Sequence, residues 1–255
     1  NRFVFIMKGS AVEELIANLP KTEIDLHIEG GLAWEMLRET NPEKFSSIPA
    51  FRKPDFRYES FEQFESILID HALLVFNSAE SYYNAAQRIF ENHLAEKVRY
   101  VETSFHAGMM EFLKIPGEEI LSAILAAVPK GLTVRVFMGI SRNAYTPYLA
   151  PRLEEAIEKW EQLAGIDLHG LESLPMEDWT IPFWQKARSN GLTVKAHAGE
   201  FGPAENVSHA IERLGVRRIQ HGVRAVESED VMKVIVDSGS TLDVCPISNQ
   251  KLRVV

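Results

Sequence analysis

The residues most able to do chemistry are histidines that end a short β-type run and are followed closely by glycine. Leu192-Thr-Val-Lys-Ala-His197-Ala-Gly-Glu200 is one such run, and Arg218-Ile-Gln-His221-Gly222 is the next. Thr22-Glu-Ile-Asp-Leu-His-Ile28 stops in the same manner, at Gly30-Gly31. Glycine beside an imidazole at a strand end leaves room for a ligand. Neutral imidazole nitrogens and carboxylate oxygens suit zinc, and a catalytic zinc keeps one position for water. Such water loses a proton near neutral pH and becomes a nucleophile, while a nearby Glu shuttles the proton. His197, with Glu200 three residues on, fits a division into ligand and acid/base.

These histidines need strands ending at one rim. From Thr22 to Glu29, Ile24, Leu26 and Ile28 alternate with Glu23, Asp25, His27 and Glu29, so the polar set shares one face. In a closed barrel that face points inward, where carboxylates and imidazole need a metal or a partner. Residues 40–96 form an excursion: Pro and aromatics between Phe45 and Tyr58, then helical apolar stripes from Ser60 to Glu96 with Ser60 and Ser81 as caps. Thereafter strands at 98–103, 133–139, 165–168, 192–196, 217–220 and 241–244 alternate with helices at 117–128, 151–163, 182–190, 204–214 and 229–237. Alternation of this kind implies parallel strands with right-handed crossovers. No Gly-rich phosphate loop follows a strand, which favours an α/β barrel of the (β/α)8 TIM type over a dinucleotide-binding sheet. In such barrels chemistry sits at the C-terminal strand ends, where His27, Glu29, Gly170, His197, Glu200 and His221 converge.

At 255 residues and 45% hydrophobic content, one barrel domain over 1–255 is expected. Only seven strands are evident, so the eighth strand and its helices are expected to be missing from this chain, and Met7 is a candidate start. The net charge of −9 argues against a nucleic-acid partner. The most apolar run, Ile120–Val128, is too short for a membrane span. With Cys245 as the sole cysteine no internal disulfide forms, and the cytoplasm is the expected compartment.

Five segments then carry a resemblance. Pro20-Lys-Thr-Glu-Ile-Asp-Leu-His-Ile-Glu-Gly30, Ile166-Asp-Leu-His-Gly170, His197-Ala-Gly-Glu200, Arg218-Ile-Gln-His221-Gly222 and Asp243-Val-Cys-Pro-Ile-Ser-Asn249 together resemble the adenosine deaminase family of metal-dependent amidohydrolases. The resemblance implies His27 and His197 as ligands of one zinc per chain, Glu200 as proton donor to the purine ring, and His221 as the residue that orients or deprotonates the water. It also implies that Gly170 contacts the base through its backbone and that Glu29 reaches a ribose hydroxyl. The implied reaction is attack of zinc-activated water on C6 of a 6-aminopurine nucleoside, with loss of ammonia.

Two departures stand out. The family's first strand reads His-x-His, whereas position 25 is Asp, so Asp25 becomes the third ligand candidate. The family's eighth strand carries an Asp ligand and an Asp that contacts the base, and without it weak zinc retention is expected of these 255 residues. Adenine and aminodeoxyfutalosine stay open as substrates, as does a metal-poor, non-catalytic homologue that binds a nucleoside or a protein partner. His106 and His169 lie near strand ends without an implied role; His71, His93 and His209 fall within helical patterns away from strand ends and read as surface or packing residues. Phe61 and Phe64 are candidates to wall the pocket, and Asp243–Asn249 to support its mouth.

Overall fold

The polar–apolar alternation after Pro20 folds as strand β1 (Lys21–His27), the first of seven parallel strands paired in chain order. The computed structural model describes residues 9–255, so Met7 and the residues before it lie outside the described residues. Helix α1 (Gly9–Asn18) precedes β1. A 3-10 turn (Ile28–Gly30), α2 (Trp34–Thr40), α3 (Phe61–Val75) and α4 (Ala79–Ala95) make the excursion before β2 (Val98–His106). Short helix α5 (Gly108–Leu113) follows, then α6 (Gly117–Ala126), β3 (Thr133–Ser141), α7 (Ala150–Lys159), β4 (Gly165–His169), α8 (Thr180–Ser189) and β5 (Thr193–Ala198). Helix α9 (Glu205–His209) runs on as a π-turn into β6 (Arg218–His221), and α10 (Glu229–Ser238), β7 (Thr241–Asp243) and α11 (Pro246–Lys251) complete the chain.

The strands make a nearly closed barrel, and among the described residues β1 and β7 are not paired with each other. Ile24 ties the interior together, its carbonyl accepting from Lys195 Nζ at 3.0 Å and Gln220 Nε2 at 3.2 Å. At the lower end Glu102 pairs with Lys195 at 2.5 Å and Arg218 at 2.8 Å, and Arg218 also pairs with Asp243 at 2.7 Å. These buried charges compensate one another, as they must where water is scarce. Outside, fully buried Trp184 of α8 donates through Nε1 to the Lys195 carbonyl at 3.1 Å, holding β5 in place two residues before His197. Burying a side chain of this size stabilises by about 3 kcal/mol.

Several local expectations change. Ser60 caps α3 by accepting from Gln63 N, but α4 is capped by Ser78, with Ser81 as its reciprocal partner in a capping box. Ser81 matched the pattern because both members of the box are serines. Strands β2, β3 and β5 extend past their expected ends, so His197 lies within β5 and not after it. Glu29 is not on the inward strand face, because Ile28–Gly30 turns out of the strand. The excursion is fastened to the far end of the chain, Tyr58 N donating to Lys251 O and Lys251 Nζ to Phe51 O, each at 2.8 Å.

Candidate active site

Barrel closure brings Asp25 and His27 of β1, His197 of β5 and His221 of β6 together at the C-terminal rim. The Nε2 atoms of His27 and His197 are 3.1 Å apart. Asp25 Oδ1 lies 3.6 Å from His197 Nε2 and 3.9 Å from His27 Nε2, and Asp25 Oδ2 lies 3.6 Å from His221 Nε2. Two imidazole lone pairs repel at 3.1 Å unless a proton or a cation stands between them. Donors about 2.0–2.1 Å from a tetrahedral zinc are about 3.3–3.4 Å apart, close to the spacing seen here. The donor set therefore fits a divalent cation.

Hydrogen bonds behind these atoms orient them. Asp167 Oδ1 stands 3.3 Å from His197 Nδ1, and Ser104 Oγ stands 3.4 Å from His27 Nδ1, leaving both Nε2 atoms aimed inward. Gln220 Nε2 donates to Asp25 Oδ1 at 2.8 Å and Cys245 Sγ to Asp25 Oδ2 at 3.3 Å. Burial opposes ionisation of Asp25, but His197, His27, His221 and the Gln220 bond outweigh it and hold the carboxyl below its ordinary value. For His197, burial disfavours the imidazolium, yet Asp167 and Asp25 raise the ring to about 10. That bound proton occupies the place a cation would take.

Glu200 faces this cluster, its Oε1 3.5 Å from His221 Nε2. Burial pushes its carboxyl up to about 8, with His197 opposing and Glu172 and Asp25 adding to the rise. A carboxyl so placed keeps its proton at neutral pH and can donate it. The turn carrying it is anchored by Glu172, which accepts from the backbone N–H groups of Gly199 at 2.8 Å, Glu200 at 2.7 Å and Phe201 at 3.0 Å. His221 adopts φ +64°, a left-handed conformation costing a non-glycine residue about 1 kcal/mol or more. Asn249 Nδ2, fully buried, lies 2.9 Å from His221 Nδ1 and donates to it, leaving the proton on Nε2. Burial pushes the His221 ring down to about 4, so it is neutral near pH 7.

The family model for adenosine deaminase matches residues 20–255. The chain belongs to the adenosine deaminase family. An adenine deaminase of Ectopseudomonas mendocina is 32% identical over 250 residues, covering 92% of this chain and 78% of that protein. The fold is shared with an adenine deaminase structure from Arthrobacter aurescens, at a TM-score of 0.79 and 24% identity over 92% of this chain and 75% of that one. It is also shared with a Burkholderia ambifaria amidohydrolase structure with bound Zn, at a TM-score of 0.76 and 19% identity over 98% and 71% of the two chains. Membership of the adenosine deaminase family makes the chain a hydrolase acting on a carbon–nitrogen bond.

Within the family frame, the remaining candidates divide. Gly170 directly follows β4 at φ +84°, with the Ser141 side chain beside it. Glu29 is drawn away from the histidines: its Oε1 accepts from Tyr82 Oη at 2.7 Å and from His106 N at 3.0 Å, and burial raises its carboxyl. His106 and His169 stack edge to face at 4.8 Å, and His169 stands 5.3 Å from the His27 ring. Gly139 admits the His169 ring, since a Cβ there would lie 2.7 Å from its Nε2. Phe61 of α3 meets Phe201 edge to face at 4.8 Å, so the excursion touches the turn that carries Glu200. A cleft of about 470 Å³, lined by Lys44, Phe45, Phe51 and His71 among others, lies in the excursion itself and includes none of the rim histidines.

Asp167, Glu172 and Gln220 are not singled out by the sequence, whereas Asn249 ends the segment 243–249 expected to support the mouth and lies against His221 there. Asp167 sits inside Ile166–Gly170 and faces inward with the period of β4, a signal that was available. Glu172 lies in a loop, where no periodicity marks an anchor.

Proposed function

We propose that the chain hydrolyses the 6-amino group of a purine to the 6-oxo product and ammonia. What carries the reading is the set Asp25, His27 and His197 around one point, with Glu200 and His221 on its flank. Asp25, His27 and His197 would hold a zinc ion, which supplies the Lewis acidity that makes water nucleophilic at neutral pH. His221 holds the water oxygen through Nε2–H, the tautomer Asn249 selects. Glu200 gives its proton to the ring nitrogen beside C6 as the C–O bond forms; of the water's two protons, one returns to the Glu200 carboxylate and the other passes to the amino group, which leaves as ammonia when the C6–N bond breaks. Asp167 keeps His197 Nδ1 protonated, and the buried turn around Glu200 excludes bulk water.

Free adenine is the substrate we infer first. Glu29 has one carboxylate oxygen committed to Tyr82 and His106, which takes it from the ribose role that the resemblance implied, and the curated relative from E. mendocina is named an adenine deaminase. The non-catalytic alternative loses its main support, because Asp25 keeps a donor facing both His27 and His197. No described helix is long and apolar enough to cross a membrane; a cytoplasmic location is proposed from the single free thiol. An ultraviolet assay of adenine, adenosine and N6-methylated purines, before and after chelation and zinc return, tests the reading. Turnover that prefers adenine and depends on zinc supports it; preference for adenosine restores the nucleoside, and chelator-resistant turnover refutes the metal assignment.

A further inference from the structure

The two oxygens of Asp25 face two different donor sets. Oδ1 faces His27 and His197, the cation seat already described. Oδ2 lies 3.6 Å from His221 Nε2 and 3.3 Å from Cys245 Sγ, and these three donor atoms all lie within 4.8 Å of one another. Around a tetrahedral zinc, an oxygen and a nitrogen are about 3.3–3.4 Å apart and an oxygen and a sulfur about 3.5–3.6 Å. The two edges that meet at Oδ2 are thus of the same size as those of the first set, and the third lies within 4.8 Å. An imidazole at position 25, as in the family's His-x-His pattern, has one lone pair to offer a metal; a carboxylate has two oxygens and can bridge.

A second observation bears on His221. A metal at Nε2 requires the proton on Nδ1, which then needs an acceptor. Asn249 Oδ1 is buried with no hydrogen-bond partner, and half a turn of that amide presents it to Nδ1. The ligand tautomer therefore exchanges one unpartnered atom of that amide for the other, and their number stays the same. Cys245 is half-buried, leaving an approach from solvent. Its thiol proton passes to solvent when a cation binds, as for any metal thiolate.

We propose that Asp25 Oδ2, His221 Nε2 and Cys245 Sγ form a second, thiophilic seat for a divalent cation, bridged to the first through Asp25. Filling it withdraws His221 from the water, so the second ion shuts the reaction down. This rests on the reading of Asp25 as a first-seat ligand and of His221 as the holder of the water.

The test counts metal. Purified protein equilibrated with excess zinc is expected to hold two ions per chain, and the cobalt-substituted protein to show a near-ultraviolet thiolate-to-cobalt band. Cys245→Ser is expected to hold one ion without the band. Asp25→His, which keeps a first-seat donor while removing the second oxygen, is expected to do the same and guards against a folding defect in the serine variant. His27→Asn should lose the first-seat ion and keep the band. One ion in the unaltered protein, or a second ion indifferent to both Cys245→Ser and Asp25→His, overturns the second seat; two ions bound with undiminished turnover overturns the inhibition. If His27→Asn loses no metal, the first-seat reading fails, and the cobalt band still decides the second.

Discussion

Glu172→Gln perturbs the site without touching a reacting atom. One Glu172 oxygen accepts from Glu200 N and Phe201 N, the other from Gly199 N and Asn206 Nδ2 at 2.9 Å. An amide keeps one acceptor oxygen and turns an NH2 group on the other pair of donors. Each hydrogen bond to a charged group contributes about 1.5–3 kcal/mol, so losing one pair and the charge should destabilise the fold by about 3 kcal/mol, readable in a denaturant titration. The turn then shifts, and a misplacement of about 1 Å in a catalytic group lowers kcat about 100-fold. A purely structural role would not move the pH profile, but this substitution should. Glu172 is a negative charge that helps raise the Glu200 carboxyl, so its neutralisation lowers that pKa, and the alkaline limb of kcat moves to lower pH. Steady-state kinetics from pH 6 to 10 on both proteins make the comparison; kcat within about threefold of the unaltered enzyme, with an unmoved limb, would refute Glu172 as the anchor of the proton donor.

With Glu200 as the proposed proton donor and its carboxyl raised to about 8, kcat in the unaltered protein should fall as pH rises through that value; a rate flat to pH 10 would count against the proposed role. Glu200→Gln should lower kcat by about 100-fold or more while zinc content stays the same, and retained turnover would remove Glu200 from the chemistry. Gly139→Ala should displace the His169 ring, because its Cβ would lie 2.7 Å from Nε2; a loss of about 1–3 kcal/mol is expected on thermal unfolding, and an unchanged Tm would mean the ring moves freely. Lys195→Met leaves buried Glu102 with Arg218 as its remaining cation; about 3 kcal/mol of stability should be lost, and wild-type stability in urea would contradict the ion-pair account.

Much of this protein was legible in its sequence because the signals are local. Polar–apolar alternation at Thr22–Ile28 and glycines closing the strands require only near neighbours, and they located the strands and the rim histidines. The same locality put His27, His197, His221 and Glu200 at one end of the barrel without any coordinates. Asp25 shows where that reach stops. Alternation turned it inward, but which oxygen meets His197, Gln220 or Cys245 depends on the register in which β1, β5, β6 and the turn after β7 close, and those residues are up to 220 positions apart. Glu29 went astray for a related reason: its side chain follows a 3-10 turn stabilised by Tyr82 and His106, partners on elements that alternation cannot see. Glu172 becomes meaningful only when its loop folds back on Gly199–Phe201, and Asn249, in a segment expected to support the mouth, finds its particular partner only when α11 lies against His221. The residue types were decided by sequence; the partnership of each oxygen and nitrogen was decided by the closing of the barrel.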